Sequence, residues 1–309
     1  MKKILFLFSG SGLRYPFHAG VFAAARQAYP DGFDARFIGV SGGAVAAAAL
    51  SGGMTPAEIL DATLQDVAED YRNLLTDGAI VDSDSLEARL IIHALGLRIS
   101  DVLYLLFPKG GEKLAGEIWD RVKEKPLFGT MEKVEALLQK WLSNGSNYFL
   151  PFGAVATNLE TNRPHILKVA SREEIVPAVL ASSAIPGIFP AQKIGNTYFS
   201  DGAVTDRFGF FAVDEMIKVW GWENEEVELI ISDARAPIMP FNNPLSTVAN
   251  IERAYDAATD VRHPVKFEFS KITTVKNIPY SPGAYKISAE ELKQSFEIGF
   301  AEGVQNLHE

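Results

Sequence analysis

Ala35-Arg36-Phe37-Ile38-Gly39-Val40-Ser41-Gly42-Gly43-Ala44-Val45-Ala46-Ala47-Ala48-Ala49-Leu50 reads as a short β-rich run, a tight turn and an alanine-dense helix. At the join, Gly39 to Gly43 fits Gly-x-Ser-x-Gly. The physics of that pattern is a strained strand-to-helix turn that lifts a serine hydroxyl above a sheet. Glycines on both sides of Ser41 remove the Cβ clashes that so sharp a turn creates. A small-residue junction that merely packs tightly is the competing reading. The stretch predicts an α/β sheet that carries Ser41 as a nucleophile.

Upstream, residues 3–8 form an apolar strand-like run, followed by Ser9-Gly10-Ser11-Gly12-Leu13-Arg14 and a helical spacing over 13–28. Strand, glycine turn, helix, strand, elbow and helix make the start of a doubly wound sheet. Acyl transfer must stabilise the negative charge that develops on the carbonyl oxygen, and main-chain N–H groups at a helix start do this well. The Gly10–Gly12 loop can supply them. A dinucleotide phosphate loop is the rival, but the position for its third glycine holds Tyr15. Met1-Lys2-Lys3 before the apolar run imitates a signal peptide. Its five apolar residues fall short of the roughly 7–15 expected there, so a buried first strand is predicted.

Downstream, residues 55 to about 142 read as mostly helical, opening on Thr55-Pro56-Ala57-Glu58, a capping box. Strand-like runs return at 148–156, 165–169, 194–199 and 227–232. The expected architecture is a three-layer α/β/α sandwich with a mostly parallel central sheet. It would form one domain over 1–309 with a helical insertion at about 55–142. Residues 242–244 and 279–283 are turn-rich but too short for linkers. The apolar stretch 86–107 suits amphipathic helices in a core or a lid over an acyl-chain channel, and both readings stand.

A formal net charge of −10 and a pI near 5.1 argue against nucleic-acid binding and against electrostatic docking on anionic lipid. The absence of Cys excludes disulfides, thiolate catalysis and Cys-ligated zinc. No run of about 18 apolar residues suggests a membrane span, so the expected location is the cytoplasm or the membrane periphery. No grouping has metal-ligand spacing, and no cofactor is implied.

A serine nucleophile needs a base, usually histidine. Of His18, His93, His165, His263 and His308, only the last two follow the serine and acid in α/β-hydrolase order, and neither sits in a motif. A carboxylate is the alternative. Asp201, in Ser200-Asp201-Gly202-Ala203 after a strand-like lead, is placed to point at a site, although Asp-Gly is equally an ordinary turn. Burial would raise its pKa and improve it as a base. Asp206 and Asp233 are rival acids, each also readable as a loop or cap residue.

Taken together, the glycine loop, the elbow, Asp201-Gly202-Ala203 and the segment Ala181-Ser182-Ser183-Ala184-Ile185-Pro186-Gly187-Ile188-Phe189-Pro190 resemble the patatin-like phospholipase family. The resemblance covers about residues 3–215 and fades from about 216. It implies a dyad of Ser41 and Asp201 without histidine, with the N–H groups of Gly10, Ser11, Gly12 and Gly42 as oxyanion donors. Arg14 matches an arginine that supports the loop. Ser9, Ser11 and Tyr15 depart from the family pattern, which has an acid, a glycine and a glycine there. The implied activity is lipid acyl hydrolysis through an acyl-serine. An acyltransferase using that intermediate, or a non-catalytic phosphate- or lipid-binding module, is the alternative. The implied substrate is a lipid or other acyl ester, met by transient contact with a membrane surface.

Overall fold

Strand β1 (Lys2–Phe8) is buried on both sides: Ile4, Phe6 and Phe8 enter one hydrophobic cluster, and Leu5 and Leu7 enter another. Alternation with both faces apolar puts a strand in the middle of a parallel sheet covered above and below. Accordingly β1 runs parallel to β2 (Phe33–Val40) on one edge and to β7 (Val227–Asp233) on the other.

The computed structural model describes residues 1–66, 131–143, 149–185, 189–234, 263–276 and 288–308. Among these the sheet has eight strands. Its remaining members are β3 (Phe152–Asn158), β4 (Arg163–Val169), β5 (Gln192–Ile194), β6 (Thr197–Asp201) and β8 (Lys271–Lys276). The order is β5-β6-β3-β2-β1-β7-β8, with β4 also paired to β3. Strands β3, β2, β1, β7 and β8 are parallel, whereas β4, β5 and β6 join by antiparallel pairings.

The helices are α1 (Pro16–Ala28), α2 (Gly42–Ser51), α3 (Pro56–Asp66), α4 (Glu132–Ser143), α5 (Ile175–Ser182), α6 (Val213–Val219) and α7 (Ala289–Leu307). Side chains from all of these except α6 pack with Phe6, Phe8, Phe37 and Phe152 on one face. On the other face, Val213, Met216 and Ile217 of α6 pack with Leu7, Ile38, Val40 and Val155. The helix–sheet–helix layering expected from the sequence is therefore present. Helices α1 and α7 touch backbone to backbone. A Cβ on Gly20 would strike the Phe296 carbonyl, and one on Gly299 the Phe17 carbonyl.

Hydrogen bonds fix the described residues at the two ends of the stretch 55–142. The Thr55 hydroxyl accepts from Glu58 N–H at 3.2 Å while the Glu58 carboxylate accepts from Thr55 N–H at 2.7 Å. Asp66 at the end of α3 accepts from Lys140 at 2.6 Å and from the Trp141 indole at 3.0 Å, tying it to α4. The stretch 86–107 lies outside the described residues.

Two strand readings need correction, and one strand is additional. β3 starts at Phe152 because Pro151 has no N–H for the ladder. Residues 194–199 are not one strand: Gly195, at φ +61°, turns the chain so that β5 and β6 form a hairpin. Strand β8 was not anticipated; it is short, with a lysine at each end, features that blunt a sheet edge.

Candidate active site

The register on β3 brings Ser41 and Asp201 together. β4 covers one edge of β3 along its whole length. The other edge is shared end to end, β2 lying against residues 153–155 and β6 against 156–158. Val40 pairs with Val155, and Asp201 with the next residue, Ala156. Ser41, one step beyond Val40, thus leaves β2 where β6 delivers Asp201.

Ser41 has φ 53° and ψ −123°, in the left-handed half of backbone space that a residue with Cβ avoids. Holding it there costs about 1–3 kcal/mol, a cost that surrounding contacts must offset. They are visible. Ser41 N–H donates to Ser182 Oγ at 2.9 Å, and that hydroxyl donates to the Val155 carbonyl at 2.6 Å. Ser41 C=O accepts from Ala44 N–H at 2.8 Å, starting α2. The elbow also depends on bare backbone, since a Cβ on Gly43 would strike the Phe8 and Ser9 carbonyls. Nothing in the sequence marks Ser182 for this role beyond its place in the family-like segment 181–190.

Asp201 is 2% exposed. Its N–H donates to Ala184 C=O at 2.9 Å, and its C=O accepts from the Thr157 hydroxyl at 2.8 Å. Carboxylate Oδ1 accepts from Ala203 N–H at 2.8 Å. Burial raises the carboxyl from 3.8 to about 6, while the Ser41 side chain, the Ala203 N–H and the Arg207 charge pull it back. Ser41 is thus close enough to stabilise the carboxylate. Among the described residues Oδ2 nevertheless has no formed hydrogen bond. A loose serine–base contact is usual in a free enzyme, where such bonds tighten only once substrate is bound.

The glycine loop rests on Ser41 and on the turn that follows Asp201. A Cβ on Gly10 would stand 3.0 Å from Ala203 Cβ and 3.9 Å from Ser41 Cβ. One expectation needs correction: Gly10 N–H donates to the Arg207 carbonyl at 2.9 Å, so that amide is already engaged. Gly12 has φ +54° and opens a short 3-10 turn through Arg14, which is buried. Gly42 abuts the loop, where a Cβ would strike the Gly12 carbonyl and come within 2.5 Å of Ser11 Oγ. As the first residue of α2, Gly42 has an N–H with no intrahelical acceptor.

Behind the loop, burial lowers His18 to about 3, so it is neutral. Its Nε2–H donates to Ser9 C=O at 3.0 Å, and Nδ1 accepts from Ser232 Oγ–H at 2.7 Å. Neither ring nitrogen is available to Ser41. His263 Nε2 faces the Thr205 carbonyl at 3.4 Å, His165 packs on Phe199, and His308 caps the end of α7. His93 lies outside the described residues. Of the rival acids, Asp206 accepts from the N–H groups of Phe208, Gly209 and Phe211 at 2.7–3.2 Å, which ties down a loop. Asp233 ends β7 and acts on His18. Among the described residues no three His, Cys, Asp or Glu side chains are grouped to hold a metal ion, and no helix is long and apolar enough to cross a membrane.

The model of one family, described as "Patatin-like phospholipase", matches residues 6–214. This chain belongs to the patatin-like phospholipase family. A comparison with curated proteins gives no match. Among solved structures the patatin-like chain is similar to VipD from Legionella pneumophila, at 12% identity and TM-score 0.44, covering 99% of this chain and 66% of that one. It is also similar to the type III effector protein ExoU, at 14% identity and TM-score 0.38, covering 99% and 52%. The chain thus spans about two thirds of VipD and about half of the ExoU chain.

Proposed function

We propose that this patatin-like protein hydrolyses fatty-acyl esters of phospholipids or related glycerolipids through an acyl-Ser41 intermediate, with Asp201 as the sole side-chain base. The observation that carries this reading is the meeting of a strained serine with a buried carboxyl held at about 6. At pH 7 such a carboxyl is mostly ionised, yet it is a stronger base than an exposed Asp. Asp201 Oδ2 takes the Ser41 proton as Oγ attacks the acyl carbonyl. The resulting oxyanion is received by the N–H groups of Ser11, Gly12 and Gly42, with Arg14 supporting the loop. Collapse of the tetrahedral intermediate expels the alcohol, which recovers the proton from Asp201. Water then gives a proton to Asp201 and attacks the acyl-serine, and Ser41 leaves with that proton as the fatty acid departs. Contact with the lipid surface is transient.

Two measurements on the whole chain test this reading: labelling by a fluorophosphonate, and fatty-acid release from phosphatidylcholine vesicles. Labelling should fall on Ser41, and Ser41→Ala should abolish both labelling and release with the melting temperature retained. Labelling that persists in Ser41→Ala would overturn the assignment.

A further inference from the structure

We propose that Ser11 is a catalytic residue through its side chain, its hydroxyl donating a hydrogen bond to the acyl oxygen as that oxygen becomes an anion. The inference rests on the acyl-Ser41 reading above and deepens it. Three observations carry it. Ser11 is 4% exposed, and its Oγ is buried with no hydrogen-bond partner among the described residues. Buried hydroxyls are nearly always paired, so an unpaired one beside Ser41 calls for an explanation, and an incoming acceptor supplies one. That Oγ lies 2.5 Å from where a Cβ of Gly42 would stand. It is therefore beside the residue that follows Ser41, whose own N–H is an open donor at the start of α2. Finally, Gly10 N–H is spent on the Arg207 carbonyl at 2.9 Å, which leaves the loop one main-chain donor short.

The chemistry fits a hydroxyl. An ester carbonyl is a modest acceptor, but the tetrahedral oxyanion is a strong one, and O–H···O⁻ bonds are short and charge-assisted. A donor that strengthens only as charge develops lowers the barrier without tightening substrate binding, so it acts on kcat rather than on KM. The Ser11 hydroxyl breaks no existing bond to serve. Its proton stays on Ser11 throughout, and Asp201 performs every proton transfer.

The test uses the whole chain and a soluble p-nitrophenyl ester, with wild type, Ser11→Ala, Ser11→Gly, Ser11→Thr and Ser41→Ala compared. Ser11→Ala and Ser11→Gly should each lose roughly 10²-fold in kcat, the usual effect of removing one oxyanion donor, with KM within about two-fold. Their melting temperatures should be equal to wild type or higher, since an unpaired buried hydroxyl has gone. Ser11→Thr, which keeps the hydroxyl, should recover most of the rate. A trifluoromethyl ketone, which forms an oxyanion on the serine, should bind Ser11→Ala more weakly by about the factor lost in kcat. A kcat within about three-fold of wild type in Ser11→Ala, with Ser41→Ala inactive, would overturn this proposal and leave the acyl-serine reading standing. If wild type neither turns over nor labels at Ser41, both fall. Loss of the melting transition in both the alanine and glycine variants would assign the hydroxyl to folding, and that too overturns the proposal.

Discussion

Asp201→Asn separates the energetic cost of burying the carboxylate from its use in catalysis. In the folded protein this carboxyl titrates at about 6 rather than 3.8 because burial penalises its charge. At about 1.4 kcal/mol per pKa unit, the rise from 3.8 to about 6 amounts to about 3 kcal/mol. The folded state holds the proton more tightly than the unfolded chain does. This contribution is therefore complete below about pH 4 and is lost as the pH climbs through about 6. Asparagine carries no charge at any pH and suffers no such loss. Its amide nitrogen would, however, replace Oδ2, which has no partner. That leaves an unpaired buried donor costing about 1–3 kcal/mol at every pH. The informative quantity is thus the melting-temperature difference, variant minus wild type, as a function of pH. With an unfolding entropy of about 2 cal/mol/K per residue over 309 residues, 3 kcal/mol corresponds to about 5 °C. The difference should grow by about that much between pH 4 and pH 8 in a series of calorimetric melts. A difference that stays constant within about 1 °C would refute the argument that the charge is buried at a cost. Turnover of the same variant should fall by about 10²–10⁴-fold, the usual contribution of a positioned base.

Other outcomes follow from the same geometry. The pH profile of kcat/KM should rise through an acid limb near 6, where Asp201 loses its proton; a flat profile from pH 5 to 8 on a soluble ester would contradict this. Ser41→Gly should raise stability by about 1–3 kcal/mol in denaturant titrations, because glycine accepts φ 53° without strain, and should abolish labelling. Gly43→Val should cost both fold and activity, since its Cβ would strike the Phe8 and Ser9 carbonyls; an unchanged melting temperature would count against that packing. His263→Ala should leave turnover within a few-fold, its ring being directed at the Thr205 carbonyl.

What the sequence disclosed, and what it did not, divides along a physical line. The elbow was legible because its geometry depends on contiguous glycines and on strand and helix patterns that a short window contains. Asp201 stands out through Asp201-Gly202-Ala203, although its closeness to Ser41 comes from register on β3. Features set by residues distant in the chain were not legible. Gly10 reads as a free donor until the Arg207 carbonyl is found against its N–H. Ser182 holds Ser41 from 141 positions away, and His18 finds Ser232 across 214. The β5–β6 hairpin was missed because Ile194 and residues 197–199 look continuous unless Gly195 is given weight as a turn residue. Residues beyond 216 looked less family-like, yet β7 pairs with β1 and α7 packs on α1. The match to the family ends at residue 214, but the sheet continues.

The ends of β2 and β6 abut on a common neighbour, so the gap between hydroxyl and carboxyl is counted in rungs of β3 and not along the intervening chain. That chain can lengthen, shorten or exchange its sequence without resetting the gap, provided β3 and the Ser182 prop survive. Substrate preference is then free to drift by remodelling whatever is threaded between the two strands, while Ser41 and Asp201 keep their places. The layout has one weak point. A single-residue deletion in β6 would shift its alternation and turn the carboxyl to the opposite side of the sheet, so a lineage can rebuild what lies between α2 and β3 more safely than it can lose one residue from 197 to 201.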